Sequence, residues 1–283
     1  GDNPRAIKAF LESDKIFESL IVQRSRAYAI ESQRKQYGEA AIFPIRQKPK
    51  VAEYSIFKTY GALLELIERA FSRSSPLFSL VVYNPLEYYL GDKEEIDAFH
   101  RGRVSNVVTL IRTQFLKRFE SSVYAFETSC DRLLRKLLAF LKVHCETPHE
   151  KKLLERWIAQ NESVLNYSIE RQRELWETDE EDDPELFPQE LLERWEKLSR
   201  DEYNISAIID MTLLDLNELI KFLKETRIFK PERDDKLKKL IRMLKTKEFS
   251  DKKVIIFTEF ADTARYLEKN LKEAGIDGLA RID

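Results

Sequence analysis

Apolar residues recur every three or four positions along most of this sequence, and in one place they run together instead. From Val104 to Leu141 the series Val108, Ile111, Phe115, Phe119, Val123, Phe126, Leu133, Leu137 and Phe140 keeps helical spacing. Uninterrupted, a helix of that length would span on the order of 55 Å and could bridge two domains. Leu63, Leu64, Ile67 and Phe71 predict a shorter helix over 59–71. Ile208, Ile209, Leu213, Leu216, Leu219, Ile220 and Leu223 predict another over 204–226. Residues 4–29 have the same period, with a break at Ser13-Asp14 and a basic end at Arg24 and Arg26. Thr147-Pro148-His149-Glu150 has the form of a helix start, with Thr as N-cap, Pro at N1 and Glu at N3 completing a capping box. Leu153, Leu154, Trp157, Ile158, Val164, Leu165 and Ile169 carry that helix towards Trp176, and Phe187-Pro188 opens one more.

The exception is Val254-Ile255-Ile256-Phe257, an unbroken apolar run rich in β-branched residues. It is too short for a core helix, so it predicts a strand covered on both faces, and such strands usually belong to parallel sheets. After Thr258-Glu259-Phe260 the helical period returns in Ala264, Leu267, Leu271 and Ala274, with Gly275 placed to stop it. The few residues after Gly275 cannot cover the strand on both faces. The expected fold is mainly α: long helices in a bundle-like region, with a small α/β piece near the C-terminus. Residues 41–56 suggest two short strands around Pro44 and Pro49, and Leu77–Leu90, apolar without a period, reads as a buried connection or a partner surface. The charged, Pro231-containing stretch from Arg227 to Asp234 is the candidate hinge before the C-terminal piece.

Composition narrows the classes. The 283 residues are 43% hydrophobic and 35% charged with seven glycines, the balance of a helix-rich globular chain. Net charge is −2, so any nucleic-acid surface must be local. Two such excesses exist. Arg101, Arg103, Arg112, Lys117 and Arg118 occur with no acid between Arg101 and Phe119, and residues 230–253 hold ten Lys or Arg against five acids. Counterion release makes either a candidate for salt-dependent phosphate contact; a solvated face is the plainer alternative. Residues 174–190 hold nine carboxylates and no Lys or Arg, the pattern of a solvated loop. With three histidines at no zinc-like spacing, no metal site is expected. Cys130 and Cys145 form no close pair, which suits a cytoplasmic chain with two structural thiols. No apolar run approaches the roughly 20 residues that span a bilayer, so no membrane partner is expected. The LLERW pentapeptide occurs at Leu153 and Leu191 with unlike flanks and is not a repeat.

VIIFTEFADTARYL resembles the strand, loop and helix that open the second motor lobe of superfamily-two helicases, in the bacterial Swi/Snf-type DNA translocases. Asp235-Lys236-Leu237 with Leu240, Ile241 and Leu244 is similar to the helix preceding that strand in the family. Leu116–Ser122 with Ala125-Phe126 resembles a helix between the lobes. Ile16–Arg26, Phe43–Arg46 and Val51–Ile56 are similar to the segment closing lobe one. The matches follow the family's order. They imply four regions: the end of lobe one over 1–57, an inter-lobe helical region over 58–146, a helical insertion with the acidic loop over 147–230, and the start of a RecA-like lobe over 231–283.

No G-x-x-x-x-G-K-[ST] phosphate loop occurs, and the family's arginine-bearing motif near the end of the second lobe is absent too. Asp179-Glu180-Glu181-Asp182 imitates the family's Mg²⁺-binding string without a preceding strand. The resemblance therefore implies a non-catalytic fragment of a double-stranded DNA translocase, beginning at Gly1 as an excised piece would. The fragment itself has no cofactor, whereas the intact parent binds ATP and Mg²⁺. Candidate nucleic-acid contacts are Thr258, Glu259 and Thr263, in the loop after a parallel strand and at a helix start, together with Arg112, Lys117 and Arg118 of the basic stripe. Two other readings stay open: a helical protein-interaction module docking a partner through Trp157, Trp176 and Trp195, and an RNA-directed helicase fragment.

Overall fold

The structure is a computed structural model that describes residues 26–38, 47–72, 78–92, 98–175, 198–250 and 252–282. The chain divides into two compact units, residues 1–51 and residues 52–283. In the first, helix α1 (Arg26–Tyr37) is exposed and polar, with a Glu31–Lys35 ion pair at 2.8 Å one turn apart. Its sequence lacks an apolar stripe, so periodicity did not reveal it. The rest of the helix expected over 4–29, and the strand around Pro44, lie outside the described residues. Residues 47–55 form no strand.

In the second unit a short helix, α2 (Ile56–Tyr60), is separated from α3 (Ala62–Ala70) by Gly61 at φ +50°, a conformation that favours glycine. The expected single helix over 59–71 is thus two. Of the stretch Leu77–Leu90, Leu80–Tyr83 is almost fully buried, whereas Pro85–Tyr88, a second 3₁₀ turn, holds no buried residue and Leu90 is exposed, so only its first part is a buried connection. The long helix expected over 104–141 is also two: α4 (Ala98–Ser121) and α5 (Val123–His144), parted at Ser122, whose backbone is extended at φ −162° and ψ 154°. Ser122 Oγ accepts the Ala125 N–H at 3.1 Å, so the break supplies its own N-cap. Phe119, Val123 and Phe126 keep a three-to-four spacing across it because both helices face one core, and that hid the break.

The capping box at Thr147 forms as expected and opens α6 (Pro148–Gln160), which passes through Asn161 into α7 (Glu162–Leu175). Glu150 Oε2 accepts the Thr147 N–H at 3.1 Å and an Arg200 Nη2 bond at 2.7 Å, while Arg200 also reaches the His144 carbonyl. Burial would raise the Glu150 pKa, but the bonds from Arg200, Thr147 and Ser206 outweigh it and hold the carboxyl at about 2. The acidic loop, the second LLERW and the Asp179–Asp182 string lie outside the described residues.

Helix α8 (Ile205–Arg227), capped by Asn204, packs against α5, α3, α7 and both 3₁₀ turns. At its centre four rings close a circuit: Phe222 lies 6.1 Å from Phe78 and 5.6 Å from Phe126, and Phe115 lies 5.7 Å and 6.2 Å from the same two. Each buried ring contributes roughly 1.5–3 kcal/mol of transfer free energy. Beside them Asp215, fully buried, accepts the N–H groups of Ser79 at 2.6 Å and Leu80 at 2.7 Å. These bonds hold a turn in which Leu80 adopts φ +58°, a left-handed conformation costly for a branched residue. Burial pushes the Asp215 carboxyl up to about 7 against the opposing pull of those N–H donors.

After a 3₁₀ turn at Pro231–Arg233 come α9 (Asp235–Leu244) and α10 (Ala261–Glu273). Gly275 at φ +74° ends α10 as expected, with the Gly275 and Ile276 N–H groups returning to the carbonyls of Lys272 and Leu271. The intervening run differs from expectation. Among the described residues no strand forms, and Ile255 and Phe257 are 77% and 90% exposed. A strand exists only through ladder bonds to a neighbour, and among the described residues this run makes none. The α/β piece expected near the C-terminus is thus helical among the described residues, and the fold is mainly α.

Candidate functional site

The break at Ser122 is where the C-terminal helices meet the long-helix pair. Ending α4 at Ser121 frees carbonyls that an unbroken helix would have used. Lys236 of α9 donates to two of them, Glu120 O at 2.9 Å and Ser121 O at 3.0 Å. From α10, Thr263 Oγ1 lies 2.7 Å from Ser121 Oγ and 2.8 Å from Ser122 Oγ. One turn back along α4, Arg118 Nη1 meets Asp262 Oδ2 at 3.2 Å, both side chains buried, with the guanidinium 4.5 Å from the Phe260 ring centre. Lys117 Nζ meets Glu259 Oε1 at 2.8 Å on the exposed side.

A second tier braces this joint. Tyr266 OH donates to Asp234 Oδ2 at 2.9 Å while its ring stacks on Tyr124. Asp235 Oδ2 accepts the Ser55 N–H at 2.8 Å, and Thr59 Oγ1 accepts the Asp235 N–H at 3.1 Å, so α2 is tied in as well. Tyr60 OH donates to the Phe119 carbonyl. Burial raises the Tyr266 phenol, with Asp234 adding to it, and burial lowers Lys236 against the opposing charges of Asp234 and Glu120.

The contacts differ in weight. Breaking a buried pair such as Arg118–Asp262 by removing one partner costs roughly 3–5 kcal/mol, because the other charge stays buried. An exposed pair such as Lys117–Glu259 contributes about 0–1 kcal/mol. The Arg118 pair and the Thr263 hydroxyl contacts therefore hold the joint, and the Lys117 pair trims its edge.

Of the six candidate contacts, Lys117, Arg118, Glu259 and Thr263 come together here: Lys117 pairs with Glu259, while Arg118 bonds Asp262 and Thr263 bonds Ser121 and Ser122. Thr258 Oγ1 lies 3.5 Å from the Phe260 nitrogen at the entry to α10. Arg112 sits elsewhere, half-buried over the Phe71 ring at 5.6 Å, its pKa lowered by burial. Trp157 is spent inside the bundle, donating to Asn217 Oδ1 at 2.8 Å, and does not face a partner; Trp176 and Trp195 lie outside the described residues. Reasoning from sequence missed Lys236, Asp262 and Tyr266. Their signal was a polar cluster interrupting apolar periods at Glu120-Ser121-Ser122 and Asp262-Thr263. Arg242 of α9 and Lys245, Lys247, Lys252 and Lys253 in the segment that follows it are exposed, with the exposed Glu248 among them.

No family model, no curated protein and no solved structure matches the chain.

Proposed function

We propose that the chain is part of an ATP-driven double-stranded DNA translocase of the Swi/Snf type, comprising the end of one motor lobe, the helices between the lobes, and the start of a RecA-like second lobe. One observation carries this reading. Two of the stretches that resemble that family, Leu116–Ser122 and Val254–Leu267, lie about 140 residues apart in sequence and meet through the Arg118–Asp262 pair and the Thr263 hydroxyl contacts. Two motifs of one motor would be held together in this way. The exposure of Ile255 and Phe257 supports the same reading, since further strands of a second lobe would cover them.

In that motor ATP and Mg²⁺ bind between the lobes, supplied by residues this chain does not contain. The role of this chain is mechanical. The polar joint makes α4, α5, α9 and α10 one lever, so a movement of the second lobe carries the helical region with it. Arg118 and Thr263 act by holding the joint, and duplex DNA is met by Lys117 and by the exposed basic residues from Arg242 to Lys253. Glu259, paired with Lys117, limits how tightly that corner holds phosphate.

The test is ATP hydrolysis by the longer chain this reading requires, alone and with duplex DNA, single-stranded DNA or duplex RNA, beside residues 1–283. Stimulation by duplex DNA and silence of the shorter chain are expected. Stimulation by RNA in preference would make it an RNA-directed motor, and silence of the longer chain would end the motor reading. A protein-interaction module is the second reading, favoured by a groove in the helical region.

A further inference from the structure

Helix α5 and the consecutive helices α6 and α7 are separated by an open groove of about 730 Å³. Its lining includes Leu134, Leu138, Ile158, Leu165 and Ile169, with Ala139 and Ala159 exposed on opposite walls, where their small side chains leave room for an approaching backbone. The α5 wall carries Arg135 and Lys142, and the α6–α7 wall carries Glu155 and Glu162. Arg135 and Lys142 are seven residues apart on one helix, two turns, so the α5 wall repeats at the spacing of a coiled-coil heptad, while Glu155 of α6 and Glu162 of α7 stand on either side of the break at Asn161. Lys142, Glu155 and Glu162 make no ion pair among the described residues, whereas Arg135 holds Asp131 at 3.1 Å. The α5 wall from Leu134 to Lys142 is about 12 Å long, the length of two turns of a docked helix.

We propose that this groove docks an amphipathic helix of a partner protein, with an apolar stripe at i, i+3/4 and i+7, acidic residues on the flank facing α5 and basic residues on the flank facing α6–α7. Helix-in-groove recognition supplies affinity from the apolar anchors, and the flanking charges select the partner and its direction. A second copy does not fit through this face, because a concave surface against its own copy leaves the cavity empty. The inference stands apart from the DNA reading, since none of these residues belongs to the Ser122 joint.

The test uses residues 1–283 and a fluorescein-labelled, stapled 15-residue helix with Leu anchors and the stated flanking charges, followed by anisotropy. A second helix has the two flanks exchanged. Saturable binding of the first at micromolar concentration is expected, with at least tenfold weaker binding of the second. Ala159→Glu, at an exposed position, should abolish binding while leaving the melting temperature unchanged. In Lys142→Glu/Glu155→Lys the preference between the two helices should reverse. Equal binding of both helices, or binding indifferent to Ala159→Glu, overturns the proposal. If neither helix binds, but a variant lacking residues 176–197 does, the groove is occupied by the chain itself, which also overturns it. Binding of a small apolar dye with no helix binding would make the groove a ligand cavity.

Discussion

The α5–α8 bundle and the α9–α10 segment solve the same problem in opposite ways. In the bundle, apolar side chains find one another: the Phe78, Phe115, Phe126 and Phe222 rings close a circuit and Asp215 spends its charge on the turn beside them. In the C-terminal segment the most apolar run, Val254–Phe257, stays exposed, and attachment rests on Arg118–Asp262, Thr263 and Lys236. The bundle is held by area removed from water, which tolerates small displacements. The joint is held by directional bonds, which fix a register and fail together. A segment whose most apolar run lies exposed is placed by the second kind of attachment.

Truncating the bundle should have the largest effect. Phe126→Ala removes a ring from the centre of the circuit and should lower global stability by about 3–5 kcal/mol in a urea titration. Arg118→Leu leaves Asp262 buried with its main partner gone. It should release α10 at a local cost of about 3 kcal/mol, seen as faster hydrogen exchange over 261–273 with the bundle unchanged. If α5 and α8 loosen equally, the two regions are not separable in the way described.

The pH response sharpens the same contrast. Asp215 titrates at about 7 in the fold against 3.8 ordinarily, so the fold holds its proton more tightly than the unfolded chain does. The stability this gives is fully present below about pH 4 and is lost as pH rises through 7. Glu150 is opposite, at about 2 against 4.5, so its contribution is present above 4.5 and is lost as pH falls through 2. The melting temperature of the bundle should therefore decline from about pH 5 to pH 8, and Asp215→Asn should melt lower but without that decline. Smaller still, Thr147→Ala should cost about 1 kcal/mol through the lost cap. Phe257→Asp should leave stability within about 0.5 kcal/mol, since an exposed side chain has little packing to lose.

Much of the bundle was legible in the sequence. The capping box at Thr147 and the helix over 204–226 follow from spacing and cap chemistry, as does the Gly275 stop of α10. The break at Ser122 was not, because Phe119, Val123 and Phe126 keep helical spacing across it. Gly61 was a local signal that the apolar period overrode. Four of the six candidate contacts converge on one joint, yet their partners were unreadable: nothing local to Arg118 points to Asp262, 144 residues away. The Val254–Phe257 strand failed for a different reason. Its local pattern is that of a strand, but strand structure is a property of a pair.

The most direct test of the central claim is a double-mutant cycle across Arg118 and Asp262, using Arg118→Leu, Asp262→Leu and the pair, read by hydrogen exchange over 261–273. The account predicts that the double variant protects α10 better than Asp262→Leu alone, with a coupling of at least about 1 kcal/mol, because Arg118 is no longer left buried without Asp262; the Arg265–Asp262 contact at 3.6 Å is lost in both Asp262 variants and cancels from the cycle. Additive losses would mean that the two residues do not hold the joint, and that α10 is placed by something else.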